Sequence, residues 1–199
     1  QNAVGVMLKW FEPCEYVVTF ENEDSSLNDI TRFDNSFLNQ FIPISDSAIV
    51  GIHLPDGGKL SEIIVFKEGE ITQQTQVWQP PHEKTDILLV CAHPDDEYLY
   101  MGGTIPYYGT ELGFHVSVLW LSHGDRARQE EALTAYWAMG SRDYPDFVGF
   151  PDSFSKTYER GASNWGEEET LEKIVDYLEK KYISLPMKMA KRFWLIRKA

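Results

Sequence analysis

Cysteine is nearly absent. Cys14 and Cys91 are the only two in 199 residues, too few for a framework stapled by disulfides. Cys91 ends an apolar run (Ile87, Leu88, Leu89, Val90), where a thiol reads as a small buried hydrophobe. Basic residues are also scarce. Lys and Arg number 18 against 31 Asp and Glu, a formal charge of −13, so the positive footprint that phosphate backbones require is missing and nucleic acid is excluded as a partner. No window approaches the ~20 apolar residues of a membrane-spanning helix, so no transmembrane segment is expected. A phosphate-cradling glycine loop is lacking too, because Gly102 and Gly103 do not have the G-x-G-x-x-G spacing. The chain begins at Gln1 without an initiator Met, which reads as a processed form or a piece of something longer.

What is present suits a globular protein: 43% hydrophobic and 14% aromatic residues supply a core, and the length allows one full α/β domain or a medium domain with a smaller companion. Residues 1–80 read as a small, mostly β region with strands at 16–20, 48–54 and 63–66. Pro55, Asp56, Gly57 and Gly58 between the last two predict a hairpin. Residues 22–39, polar and acidic without clean periodicity, read as loop with at most one helical turn. Pro80 and Pro81 stop any continuous element and set the domain boundary.

Beyond them the pattern alternates. The continuous apolar runs 87–91 and 116–121 predict strands buried on both faces of a parallel sheet. Helices are expected at 104–112, stopped by Gly113, and at 127–139, stopped by Gly140, with a short strand at 147–150. Leu171, Ile174, Val175, Leu178 and Tyr182 form one apolar stripe on a helix from about Glu167. The expected fold is therefore α/β: a Rossmann-like, doubly wound parallel sheet over residues 81–182 with helices on both faces, preceded by the β region.

Reactive groups of an open α/β sheet gather at the carboxyl ends of its strands, and there, after the first parallel strand, stands Ala92-His93-Pro94-Asp95-Asp96-Glu97. Taken singly, a His is more often a satisfied surface residue and an Asp after Pro a turn or cap residue. Together, an imidazole and adjacent carboxylates on a proline-stiffened turn can divide labour. His93 and one Asp would grip a divalent metal, and the other carboxylate would stay free beside a metal-bound water.

This motif, with the DILLVC before it and GGTIPYYGTELG after it, resembles the PIG-L/LmbE family of zinc-dependent de-N-acetylases over residues 85–182. The resemblance implies Zn2+ as cofactor, His93 and Asp96 as zinc ligands, Asp95 as the general base, and Glu97 as a helix-start or supporting residue. It implies an N-acetylated sugar or glycoconjugate, such as an N-acetylglucosamine compound, as substrate. Arg128, in an R-x-x-E spacing with Glu131, matches the arginine that family members present to substrate; the plainer reading is a solvated i, i+3 ion pair. An exported location is favoured over a cytoplasmic one, because relatives with such a β extension are often exported.

The family's third zinc ligand and its acid histidine come from a downstream histidine-rich segment, and no histidine follows His123 here. His123, at the end of the second parallel strand, is the candidate substitute ligand. Residues 183–199 carry five basic residues and no acid, an aberrant tail. Read one base earlier, the codons of Met187, Lys188, Met189, Ala190 and Lys191 regenerate the family's D-E-N-G-E pattern, so the tail reads as a shifted frame. The expectation for this chain is weak zinc binding and impaired deacetylase activity. The alternative function is a non-catalytic carbohydrate- or cell-wall-binding protein on a degenerate scaffold.

Overall fold

The computed structural model of the chain describes residues 3–32, 37–44, 48–55, 58–69, 71–73, 75–151 and 157–182. The chain divides between Pro80 and Pro81 into two compact units. The basic tail at 183–199, and Asp56 and Gly57 of the expected turn, lie outside the described residues.

The first unit contains β1 (Ala3–Glu12), β2 (Tyr16–Glu21), β3 (Leu27–Arg32), β4 (Asn39–Pro43), β5 (Ala48–His53) and β6 (Lys59–Lys67). They form two antiparallel sheets ordered β4-β1-β6 and β3-β2-β5. Strand alternation places Val6, Leu8 and Trp10 of β1 on one face and Tyr16, Val18 and Phe20 of β2 on another. With Ile42 these fill one shared core. The Trp10 indole N–H donates to Gln40 Oε1 at 3.0 Å, so the largest core side chain buries no unpaired donor.

The expected hairpin at 55–58 does not form. β5 pairs with β2, Val17 opposite His53, while β6 pairs with β1, Val6 opposite Val65. The central strands β1 and β2 each take an edge partner, and β5 and β6 go to different sheets. Residues 22–39 are not simply loop either. They hold β3, an exposed edge strand whose pairing comes from the backbone of β2 and from Thr19 Oγ1 donating to Asp29 Oδ1 at 2.6 Å.

The second unit contains β7 (Ile87–Cys91), α1 (Asp96–Met101), a π-helical turn (Ile105–Glu111), β8 (Val116–Ser122), α2 (Arg126–Ala138), β9 (Asp146–Phe150), α3 (Tyr158–Trp165) and α4 (Glu167–Tyr182). β7, β8 and β9 form a parallel sheet in that order. β8, in the middle, is buried at every position, as a strand covered on both faces must be. On one face Trp120 meets Tyr136 of α2 edge-on, ring centroids 5.8 Å apart, and Tyr136 donates its hydroxyl to Val116 O at 3.1 Å. On the other, Leu88, Val90, Leu119, Leu121 and Phe150 pack with Trp165 of α3 and with Ile174, Tyr177 and Leu178 of α4.

The packing face of α4 is narrower than the expected stripe. Leu171 is 62% exposed and Val175 40%; Tyr177 takes their place because its ring is apolar and its hydroxyl donates to Asp146 at the start of β9. The architecture is thus mixed α/β, a small parallel sheet with helices plus antiparallel sheets.

α2 stops where the backbone turns left-handed at Gly140, φ +97°, and a Cβ there would run into Thr110 Oγ1. Both the dihedral and the crowding reject a side chain. Gly140→Ala is therefore expected to lower unfolding stability by about 1–3 kcal/mol, read as a lower urea midpoint at unchanged m.

Candidate metal centre

The site is built where β7 ends. Asp95 N and Asp96 N both point at His93 O, at 3.0 and 3.3 Å, so the chain folds back on itself around Pro94 before α1 starts. Asp96, only 1% exposed, answers with its side chain: Oδ2 accepts from His93 N at 2.9 Å and lies 3.8 Å from His93 Nδ1. Two donors each ~2.0–2.2 Å from one zinc stand about 3.3–3.6 Å apart on a tetrahedron. At 3.8 Å His93 Nδ1 and Asp96 Oδ2 stand a few tenths of an ångström wider than that, so holding one zinc would need them to close by about that much.

Asp95 is held differently. Its Oδ2 accepts from Arg128 Nη2 at 2.5 Å, while its Oδ1 is buried and accepts no hydrogen bond from the described residues. Arg128 is placed by the start of α2, where Asp125 Oδ1 caps the helix by accepting from Arg128 N at 2.9 Å. Partial burial works against the Arg128 charge, but the hydrogen bond and negative charge of Asp95, helped by Tyr98 and Glu131, raise its pKa above the ordinary arginine value. The Glu131 contact, at 3.6 Å, is the lesser one. Arg128 is therefore more than half of a solvated i, i+3 pair.

Glu97 lies beneath the motif, fully buried. It accepts from the Trp120 indole N–H at 2.7 Å, tying the first turn of α1 to the central strand. Burial, more than any other influence, raises its pKa above the usual carboxylate range. Cys91 is buried as expected, and burial followed by the carboxylates of Glu97, Asp96 and Asp95 raises its pKa, keeping it a neutral thiol.

His123 is engaged elsewhere. Its Nδ1 lies 2.6 Å from Gly124 O and 3.0 Å from Gln129 Nε2, and Nε2 faces Gly149 of β9. Among the described residues it does not join His93 and Asp96 as a third donor; the three-donor group that does form is His82, His115 and Asp143, at the other end of the strands. Trp165, which sequence reasoning missed, stands beside His93 with ring centroids 6.4 Å apart. It stacks on Phe150 and donates its indole N–H to Pro151 O at 2.8 Å, an apolar wall for the site. It was missed because no element was expected between the short strand at 147–150 and the helix from about Glu167, although α3 itself is amphipathic.

A family model described as PIG-L: GlcNAc-PI de-N-acetylase matches residues 88–188, half of the chain, starting in β7 and taking in the whole motif. Searches of curated proteins and of solved structures gave no match.

The raised pKa of Glu97 has a sign that can be read out. A carboxyl protonated more tightly in the folded than in the unfolded state adds stability below the unfolded value of ~4.3, and this is lost as pH rises through the folded pKa. Glu97→Gln keeps an acceptor for Trp120 and removes the titration. In metal-free protein, the stability of wild type relative to Glu97→Gln is expected to fall as pH rises from about 4 to 8, measured by urea unfolding at each pH.

Proposed function

Because the chain belongs to the PIG-L family of GlcNAc-PI de-N-acetylases, we propose that it is a zinc-dependent hydrolase removing acetyl from an N-acetylated sugar or glycoconjugate. The observation that carries this reading is the pairing of two donors, His93 and Asp96, with a neighbouring carboxylate whose buried Oδ1 is left without a hydrogen bond. The parallel sheet, with α2 on one face and α3 and α4 on the other, supports a Rossmann-like core that delivers the motif at a strand's carboxyl end.

In this reading His93 and Asp96 hold the zinc, which when bound supplies Lewis-acid polarisation of the amide carbonyl and a water of lowered pKa. Asp95 Oδ1 accepts the proton of the attacking water, and Arg128 holds the other carboxylate oxygen so that Oδ1 alone turns toward substrate. The same proton is then available for the departing amine nitrogen, giving acetate and the free amino sugar. Trp165, backed by Phe150, would give the site an apolar side next to His93.

With two protein donors the expected activity is slow and needs added zinc. Acetate release from N-acetylglucosamine compounds tests the reading. A zinc-dependent rate should appear, and Asp95→Asn should lower kcat by about 10^2–10^4 without changing bound zinc. Release that is independent of zinc, or unaffected by Asp95→Asn, would overturn it.

A further inference from the structure

We propose a second metal site in this chain, formed by His82, His115 and Asp143 at the amino ends of the parallel strands and taking a divalent first-row transition cation of the zinc class. The three residues precede β7, β8 and β9 respectively. They therefore gather at the opposite end of the sheet from His93, which follows β7. Five residues of strand at ~3.3 Å each separate the two ends by roughly 16 Å, too far for one ion to serve both.

The donor atoms of the three side chains all lie within 4.8 Å of one another. His82 Nε2 stands 3.1 Å from Asp143 Oδ2, and the His82 and His115 rings lie with centroids 3.7 Å apart and planes tilted by 46°. A shared cation would take one ligand bond from each imidazole and one from the carboxylate. Two nitrogens and one carboxylate oxygen suit zinc, cobalt, nickel or copper. Calcium and magnesium, which prefer all-oxygen shells, are poorly matched. His82 and Asp143 keep 42% and 22% side-chain exposure, and His115 is exposed, so an ion can enter and keep water in its remaining position.

The backbone of His115 is also fixed in advance. Its main-chain N–H donates to Asp86 Oδ2 at 2.9 Å, and its carbonyl accepts from Thr85 Oγ1 at 2.6 Å and from Asp86 N at 2.9 Å. The neighbour of Asp143 does not compete for it: Arg142 lays its guanidinium over the Trp137 ring at 3.9 Å and donates to Trp137 O and Ser141 O. An ion here would clamp the amino ends of the three strands whose carboxyl ends carry the candidate active site. Its role is structural: it takes no part in the hydrolysis.

The test uses tag-free full-length chain carrying His93→Ala, so that the motif contributes no tight site and the outcome is independent of the proposed catalysis. Zinc is titrated by equilibrium dialysis, and cobalt(II) by its visible ligand-field absorption. The expected result is one ion per chain with a zinc-dependent rise in Tm. Adding His115→Ala or Asp143→Asn should weaken binding by more than 100-fold, beyond the 10–100-fold of a supporting residue. His115 is exposed and Asp143→Asn preserves shape, and far-UV circular dichroism checks that each variant folds. No binding in the His93→Ala chain, or binding unchanged by both further variants, would overturn the proposal and leave His82 and Asp143 as a plain ion pair.

Discussion

The hydrogen bond from the Trp120 indole to the Glu97 carboxylate is the constraint on which the site depends. It joins the first turn of α1 to the central strand of the parallel sheet through two side chains with no exposed surface worth the name. A buried carboxylate without that donor would cost several kcal/mol, so α1 has little freedom to rotate or slide. Asp96 is the residue before Glu97, and its grip on His93 N inherits the same registration. The chemistry at the surface is thus set by an acid that takes no part in it.

From that anchor the rest of the site follows by short steps. Asp95, on the other side of Asp96, is left outside the helix with one oxygen held by Arg128 and one buried without a hydrogen bond among the described residues. Arg128 reaches it because Asp125 caps α2 in the neighbouring crossover. Adjacent carboxylates, identical in chemistry, thereby acquire different work: one is aligned with an imidazole, the other with a guanidinium. That difference in surroundings is what the proposed division into ligand and base rests on.

Much of the second unit was legible because burial on both faces leaves a plain mark. The runs at β7 and β8 are continuous and apolar, α2 ends just before Gly140 and β9 at Phe150, and the π-helical turn occupies the helix expected before Gly113. Legibility failed where long-range pairing decides. β3 is exposed and carries no buried apolar face, because it is held by backbone pairing and the Thr19–Asp29 hydrogen bond, and β5 and β6 look like a hairpin because a turn sequence encodes reversal without naming a partner. Leu171 was misjudged because periodicity cannot rank a leucine against a tyrosine whose hydroxyl has an acceptor waiting. His82, His115 and Asp143 gave no signal at all, since residues some thirty positions apart meet only when three parallel strands start side by side.

The central claim is that His93 and Asp96 bind the zinc while Asp95 does not. The most direct measurement is an anomalous difference map at the zinc edge from crystals grown with zinc. The account predicts a peak between His93 and the Asp96 carboxylate, with Asp95 beyond bonding distance and still held by Arg128. A peak coordinated by Asp95, or none at the motif, would contradict it.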